Sequence, residues 1–528
     1  MTIYKFLQNG SDIRGIAMNG IDGQVPNLTT REAIDLTKGY LMYMVSKTGK
    51  QPIDLKFAIG RDSRLSGPSL KNTVFSTLEG YGAEVIDCGL ASTPAMFMST
   101  IFEEFNCDGA IMITASHLPF NRNGFKYFNR EGGLNKSDIS KIIELAEALS
   151  IPSCASGCST CSGGCGGGGS QEQEDAFSDV HIRPVIGKPA PLMERYSQHL
   201  RQLIIDGTGS QQPLLGMKIV VDAGNGSGGF YATDVLEPLG ADISHSQFLT
   251  PNGTFPNHPP NPEDKEAMDS IKEAVISNNA DFGLIFDTDV DRSSAVDKNG
   301  REISRNGIVA MAAALIAEDY PGSTVVTDSI TSDQLTVFLE QNLGLKHLRY
   351  MRGYKNVINK AIELNEQGTL APLAIETSGH GALMENYFLD DGAYLATKIV
   401  IKAANLAKEG KTLDQVLCDL ADPLESTELR FPITCEEFKE FGDEILLDLQ
   451  GWINDGQAGL SLVSPNYEGV RINFDKTAGD GWCLLRKSLH DPIMPLNIES
   501  NSPGGIDLIK SKLIEFLKEY PALDISSL

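Results

Sequence analysis

Surplus positive charge is what this 528-residue chain most conspicuously lacks: 44 Lys and Arg stand against 70 Asp and Glu, a formal net charge of −26. No nucleic-acid partner is therefore expected, because neutralising phosphates takes excess Lys and Arg. An anionic small substrate would need a basic pocket of its own, and a metal, to offset the overall field. No run of 18 or more apolar residues occurs, so no membrane-spanning helix is expected. The start, Met1-Thr2-Ile3-Tyr4-Lys5-Phe6, reaches Asp12-Ile13-Arg14-Gly15 almost at once and leaves no room for a targeting peptide. The expected location is the cytoplasm, or an organelle stroma had a targeting segment been removed. Cysteine is sparse: of nine, five are scattered in apolar or loop contexts, as expected of reduced, mostly buried thiols.

What is present is ordinary globular material, 41% hydrophobic and 22% charged, in a chain too long for one core. Three to four domains are expected. Asn27-Leu28-Thr29-Thr30 caps a predicted helix that runs to about Thr48 and stops at Gly49. Strand Phe57–Gly60, helix Pro68–Leu78, strand Ala83–Cys88, helix Pro94–Phe105, strand Ala110–Ile113 and helix Lys136–Leu149 follow. This alternation predicts a three-layer βαβ domain over residues 1–150, with its loops converging at strand C-termini. Residues 151–187 break the pattern with a Gly/Ser/Cys-rich, then acidic stretch, read as an insertion or linker. A second unit (188–304) holds a helix at Pro191–Leu203 and strands Met217–Asp222 and Ala280–Phe286. A third (305–422) holds helix Val309–Ile316 and strands Ser323–Thr327 and Ala371–Ile375. From 423 to 528, strands and hairpins at Tyr467–Phe474 and Trp482–Arg486 with flanking helices indicate α+β character.

Four strand-end stretches carry chemistry. Thr114-Ala115-Ser116-His117 offers a nucleophilic hydroxyl, and Lys126, beyond Pro119 and Asn123-Gly124, a cation folded back toward it. The bland alternative is a surface turn. Asp287, Asp289 and Asp291 alternate at a spacing suited to one hard cation such as Mg²⁺, whose charge would relieve their repulsion; Arg292 and Lys298 in place of Gly and Glu exclude an EF-hand. Glu376-Thr377-Ser378-Gly379-His380 pairs a carboxylate with a hydroxyl suited to gripping sugar hydroxyls. Arg486-Lys487-Ser488 offers a forked cation, a point charge and a hydroxyl suited to a phosphate. Gly224-Asn225-Gly226-Ser227-Gly228-Gly229 fits G-x-G-x-x-G after a strand, with Asp242 at ribose distance, and is the seed of a rival reading as a nicotinamide-dependent dehydrogenase. Cys154, Cys158, Cys161 and Cys165 could hold zinc or an iron–sulfur cluster, form redox-switching disulfides, or belong to an insertion with no site at all.

Taken in order, five elements resemble the α-D-phosphohexomutase family of phosphoglucomutases and phosphomannomutases. They are Asp12-Ile13-Arg14-Gly15, Thr114-Ala115-Ser116-His117 with Asn123-Gly124-x-Lys126, Asp287-x-Asp289-x-Asp291-Arg292, Glu376-x-Ser378-Gly379-His380 and Arg486-x-Ser488. The resemblance spans residues 12 to about 500. It implies an α/β fold of four domains around a central cleft: three similar three-layer α/β/α domains plus a smaller C-terminal α+β domain. It further implies a phosphoryl group on Ser116, and Mg²⁺ held by Asp287, Asp289, Asp291 and Ser116 through its phosphate. Proton transfer would fall to Lys126 with Arg14 and His117. Arg292, Glu376, Ser378, His380, Arg486 and Ser488 would bind substrate, with Arg64 and Lys355 as further cleft cations.

By the same resemblance, the reaction moves a phosphoryl group between C1 and C6 of a hexose phosphate, glucose favoured and mannose next, with N-acetylglucosamine and glucosamine phosphates also open, through a bound hexose 1,6-bisphosphate that also serves as activator. Two departures from the family pattern stand out: Leu118 where Asn is usual, and Arg486-Lys487-Ser488-Leu489-His490-Asp491-Pro492 in the phosphate loop. They keep a hexose-1,6-bisphosphate synthase, or a sugar-phosphate-binding regulator, as alternatives. The partner is the hexose phosphate itself, and a monomer or small homo-oligomer is expected.

Overall fold

The computed structural model describes residues 3–150, 188–488 and 491–528. Cys154, Cys158, Cys161 and Cys165 lie outside the described residues, as do Leu489 and His490 of the phosphate loop.

Each of the first three units is built on its own sheet with helices on both faces. In the first, strands Gln8–Asn9, Asp12–Ile16, Arg122–Asn129, Gly109–Ile113, Lys56–Arg61, Glu84–Leu90 and Lys188–Pro189 lie side by side in that order. The chain thus rejoins the first sheet at Lys188 before entering helix Leu192–Thr208. The second sheet runs Glu302–Ile303, Ser293–Asp297, Phe282–Phe286, Ile219–Asp222, and the third Lys346–Arg349, Thr324–Thr327, Leu373–Ile375, Gly381–Leu383, Leu389–Asp390. A construction recurs in all three: a strand lying parallel to one neighbour is followed by a short loop and an antiparallel return. It appears at Gly109–Ile113 and Arg122–Asn129, at Phe282–Phe286 and Ser293–Asp297, and at Leu373–Ile375 and Gly381–Leu383.

Alternation along the strands decides which layer each side chain joins. Ala58, Val221 and Val325 enter one apolar cluster that runs through all three units to Leu420. Their neighbours Phe57 and Ile59, Val220, and Val326 face separate clusters under each unit's own outer helices. The first three units are therefore joined by a shared core. The fourth has its own, between helices Phe438–Asn454 and Gly505–Leu517 and a five-stranded antiparallel sheet. It meets the third unit through polar contacts: Arg471 Nη1 donates to the Ser329 carbonyl (3.0 Å), its Nη2 pairs with Asp333 (3.0 Å), and the Ser329 hydroxyl bonds Glu468.

The structure departs from the sequence reading at two points that matter for the site. The helix expected over Pro94–Phe105 ends at Met98, because the Ser99 and Thr100 hydroxyls bond back to the Met96 and Phe97 carbonyls (2.6 and 2.8 Å) and the chain leaves in turns. Residues 122–129, expected as a bent loop, form a regular strand paired with Gly109–Ile113; Lys126 sits opposite Met112 on it. The first helix agrees: Thr30–Thr48 starts with a capping box between Thr29 and Glu32 and ends on left-handed Gly49.

Helices Thr30–Thr48 and Lys136–Ser150 approach closely at Gly39, where a Cβ would strike the Ile142 carbonyl oxygen. Gly39→Val should destabilise the first unit by about 1–3 kcal/mol, read as a lowered urea midpoint of its unfolding transition.

Candidate active site

The three return loops, 114–121, 287–292 and 376–380, meet. Each turns through a residue of positive φ: Ser116 (48°), Val290 (67°) and Gly379 (91°). For Ser116 and Val290 this is a sparsely populated conformation, held by surrounding contacts. A backbone bridge joins Arg292 to His380, and the Gly392 amide donates to the Val290 carbonyl (3.1 Å), fixing the second loop against the third unit.

Ser116 is nine-tenths buried. Its hydroxyl donates to Asp287 Oδ2 (3.0 Å) and lies 3.3 Å from His117 Nδ1 and from Arg292 Nη2. Arg292 Nη2 in turn approaches His117 Nδ1 at 2.7 Å, so that ring nitrogen accepts. Burial, with Arg292 and Arg14 close by, pushes the imidazole down to about 3 and keeps it neutral. Arg14 ties the same loop from below, donating to the Thr114 carbonyl and pairing with Asp12 (2.7 Å). Arg64 has a different place from that expected: it is no cleft cation. It is fully buried, its Nε pairs with Asp62 (3.2 Å), and its two Nη groups donate to the carbonyls of Ser116, Leu118 (2.6 Å), Pro119 (2.7 Å) and Arg122 (3.0 Å). All five of its N–H donors are used in clamping the loop that presents Ser116.

Asp287, Asp289 and Asp291 are fully buried, and ligand oxygens from the three lie within 4.8 Å of one another. They converge through a left-handed turn between two strands rather than along a strand end. Burial, then the neighbouring acids, holds the carboxyls of Asp287 and Asp289 above the usual range. Burial also opposes ionisation of Asp291, but Lys126, His380 and Arg292 outweigh it and keep that group ionised. One oxygen of Asp289 is taken by the Thr93 hydroxyl across the first seam (2.5 Å); Oδ1 of Asp289 and Oδ1 of Asp291 have no hydrogen-bond partner among the described residues. Buried, unsatisfied carboxylate oxygens facing one point next to a hydroxyl fit a hard divalent cation. Lys126 stands beside them, 3.0 Å from Asp291 and 3.2 Å from Asp12. Burial would lower its pKa, but Asp12, Tyr354 and Asp291 drive it well above normal, so the amine is cationic.

On the third loop, Glu376 accepts from the Gly353 amide (2.6 Å), while the buried Ser378 hydroxyl has no hydrogen-bond partner among the described residues. His380 Nδ1 lies 2.5 Å from Asp390; burial opposes its protonation, yet Asp390 and Asp291 hold it at about 9. Tyr354 stacks on His380 (5.1 Å, 21°), lies under Lys126 Nζ (5.0 Å) and bonds Ser11 through its hydroxyl (2.8 Å). Lys355 donates to the Gly133 carbonyl (2.7 Å) and lines a cavity of about 440 Å³ with Asp12, Lys126, Asp291 and Asp390; burial lowers it to about 8. From the fourth unit come Arg486, whose Nε has no hydrogen-bond partner among the described residues, and Ser488, whose hydroxyl accepts from the Asp491 amide (3.2 Å).

Sequence reasoning missed Thr93, Tyr354, Asp390 and Arg352, which pairs with Asp328 at 3.8 Å and lines a cavity of about 980 Å³. Thr93 opens the helix Thr93–Met98 and Asp390 ends the strand Leu389–Asp390, in Thr-Pro and Asp-Asp-Gly sequences that carry no motif by themselves; only their tertiary partners mark them. The Gly-rich turn 224–229, the seed of the dehydrogenase reading, is filled by protein: a Cβ at Gly226 would lie 2.6 Å from the Thr288 carbonyl, and the Ser227 amide donates there (2.7 Å). It packs against the acidic loop instead of cradling a dinucleotide.

A hydroxyl bonded to one of three buried carboxylates and ringed by cations, at the junction of three like α/β/α units, is the site of a phosphoryl-transfer enzyme. Residues 6–150, 194–300 and 304–424 match the profiles of phosphoglucomutase/phosphomannomutase α/β/α domains I, II and III. The chain belongs to that family, the α-D-phosphohexomutases, and is a phosphohexomutase. It is 28% identical over 470 residues to a phosphomannomutase/phosphoglucomutase of Pseudomonas aeruginosa, covering 89% of this chain and 88% of that one. It is 27% identical over 527 residues to a phosphoglucosamine mutase of Corynebacterium jeikeium, covering 97% and 99%. The crystal structure of a phosphoglucomutase/phosphomannomutase family protein from Burkholderia thailandensis shares the fold, with a TM-score of 0.73 and 24% identity over 97% of both chains.

If Arg64 acts as a clamp rather than a ligand for substrate, Arg64→Lys should keep the charge and lose the fork. The expected result is a fall in kcat of about 10²-fold from displacement of Ser116, with KM for a hexose phosphate within about twofold of wild type; a loss confined to KM would contradict the clamp.

Proposed function

We propose that the enzyme interconverts hexose 1- and 6-phosphates, glucose phosphates first and mannose phosphates next, through a phosphoryl group carried on Ser116. The observation that carries this reading is the 3.0 Å contact of the Ser116 hydroxyl with Asp287, at a point where Asp289 and Asp291 also converge. Asp287, Asp289 and Asp291, with an oxygen of phosphorylated Ser116, would hold Mg²⁺, which when bound neutralises charge developing on the transferred group. The four-unit division at 1–150, 188–304, 305–422 and 423–528 belongs to the same proposal: three units build the reacting centre and the fourth brings Arg486 and Ser488 to the phosphate already on the sugar.

Roles for the remaining residues follow from their surroundings. Lys126, kept cationic by Asp12 and Asp291, supplies positive charge and a proton at the sugar hydroxyl that receives or loses the phosphoryl group. Arg14 and neutral His117 orient the loop and the hydroxyl. Arg292 balances Asp287 and faces the transferred group. Glu376 and Ser378 hold sugar hydroxyls, with His380 fixed beside them by Asp390. The hexose 1,6-bisphosphate formed after the first transfer turns over in the cleft and returns its other phosphate to Ser116. Exclusion of water by the fourth unit keeps the phosphoryl group from hydrolysis.

Intact-mass measurement of the purified protein should show a fraction carrying one phosphate, absent from Ser116→Ala, whose turnover of glucose 1-phosphate should fall by about 10⁴-fold or more. Chelation should abolish activity and Mg²⁺ restore it. Net release of bisphosphate without isomerisation would identify a synthase instead.

Burial, with Asp328 nearby, pushes Glu376 up to about 7, so its sugar-binding carboxylate is lost as pH falls through that value. KM for glucose 1-phosphate should rise about tenfold from pH 8 to pH 6, and the rise should vanish in Glu376→Gln.

A further inference from the structure

Segment 251–264, Pro-Asn-Gly-Thr-Phe-Pro-Asn-His-Pro-Pro-Asn-Pro-Glu-Asp, has no helix or strand, and its five prolines remove backbone donors that could otherwise fix it. It nevertheless touches both halves of the reacting centre. At one end Gly253 presses on the backbone of residues 63–65, where a Cβ would lie 2.5 Å from the Ser63 carbonyl, and the Phe255 ring lies 5.3 Å under the Arg64 guanidinium. At the other, Asn261 Oδ1 accepts from Arg292 Nη1 (3.0 Å) and Glu263 lies 3.8 Å from the same nitrogen.

His258 lies between these two ends. It is buried, with its Nε2 3.1 and 3.2 Å from the two oxygens of Asp222 and its Nδ1 2.9 Å from the Pro259 carbonyl. A carbonyl oxygen can only accept, so Nδ1 carries a proton; a carboxylate can only accept, so Nε2 carries one as well. The two contacts are therefore satisfied together only by an imidazolium facing a carboxylate. Asp222 is fully committed to this role: it also accepts from the Gly224 amide (2.9 Å) and from Gln247 Nε2 (2.6 Å), and it is entirely buried.

We propose that His258 is a positioning residue for phosphoryl transfer: paired with Asp222, it pins the proline-rich segment so that Asn261 orients Arg292 and Phe255 backs the Arg64 clamp on the Ser116 loop. The charged groups facing the ring are Asp222 and Asp264, and both favour the protonated form that the geometry requires. Because the folded-state pKa is raised, the pair is complete at low pH and is lost as pH rises through that value. The segment should then loosen and Arg292 lose its brace.

The inference rests on the placement of Ser116 and Arg292 in the reacting centre proposed above, and the test separates the two. Kinetics on glucose 1-phosphate with Mg²⁺ would compare full-length wild type, Ser116→Ala, His258→Gln, Asn261→Ala and the double variant His258→Gln/Asn261→Ala. The expected result is a loss of kcat of about tenfold in each of the two single brace variants, with KM within about twofold. The double variant should be no worse than the poorer single, since both changes break one brace. Wild-type kcat should decline on the alkaline side, and that decline should flatten in His258→Gln. An active Ser116→Ala overturns the functional reading itself. With Ser116→Ala inactive, wild-type kcat in the brace variants, or losses that multiply in the double variant, overturns the role of His258. Should His258→Gln not fold, Asn261→Ala decides alone, because its side chain lies on the loop outside any core: unchanged kcat there overturns the brace.

Discussion

Everything near the centre depends on keeping three carboxylates, Asp287, Asp289 and Asp291, together and out of water. Burying one unpaired carboxylate is costly, and three side by side add repulsion to desolvation. The protein offsets this with cations drawn from different parts of the chain: Lys126 from the first unit at Asp291, Arg292 from the second at Asp287, and protonated His380 from the third, shared with Asp390. The compensation is incomplete, and the oxygens of Asp289 and Asp291 that have no hydrogen-bond partner among the described residues show where. A site short of positive charge by this margin, at the Ser116 hydroxyl, fits a divalent ion and the phosphoryl group proposed for Ser116.

That requirement explains why the three alike units share one core. A shift of about 1 Å between the Ser116 loop and the acidic loop would break a 3.0 Å contact, and such misplacement is enough to cost about two orders of magnitude in rate. The continuous apolar cluster from Ala58 to Leu420 prevents independent motion of the loops it carries. The fourth unit has a separate core and a polar joint, Arg471 over Trp482 and toward Asp333, with Glu468 at Ser329 and the Arg352 amide. Polar joints of this kind resemble transient interfaces more than fused ones, which would suit the substrate-covering role proposed for the fourth unit.

Legibility in the sequence followed locality. The capped helix Thr30–Thr48, the apolar strands ending at Ile113, Phe286 and Ile375, and the chemistry on the loops after them could all be read, because local pattern determines them. The return strands could not. Arg122–Asn129 is fully polar at its start and buried along most of its length, so its pairing rather than its pattern makes it a strand. Arg64 shows the same limit at a single residue: an arginine in an Arg-Asp-Ser-Arg loop looks like a ligand for an anion, and only the four carbonyls folded around it reveal a structural clamp. Thr93, Tyr354 and Asp390 were invisible for the same reason, since each acts on a residue in another unit or another loop.

The chain's overall charge of −26 and its anionic substrate are compatible because of distance. At physiological ionic strength, exposed charges more than about 8 Å apart are largely screened, so the acidic outer surface contributes little inside the cleft. There the local inventory governs: Lys272, Arg301, Arg305, Arg352 and Arg430 line the cavity of about 980 Å³ together with Glu263, Glu302, Asp422, Glu428 and Glu499. Burial and the neighbouring Arg352 lower the pKa of Arg486, against the opposing pull of Glu468, Glu428 and Asp328. In the proposed reaction an incoming phosphate would bring negative charge to Arg486, which a neutral sugar would not. On the third loop the Thr377 hydroxyl donates to Asp328 (2.8 Å), between Glu376 and Ser378, the groups proposed above to hold sugar hydroxyls.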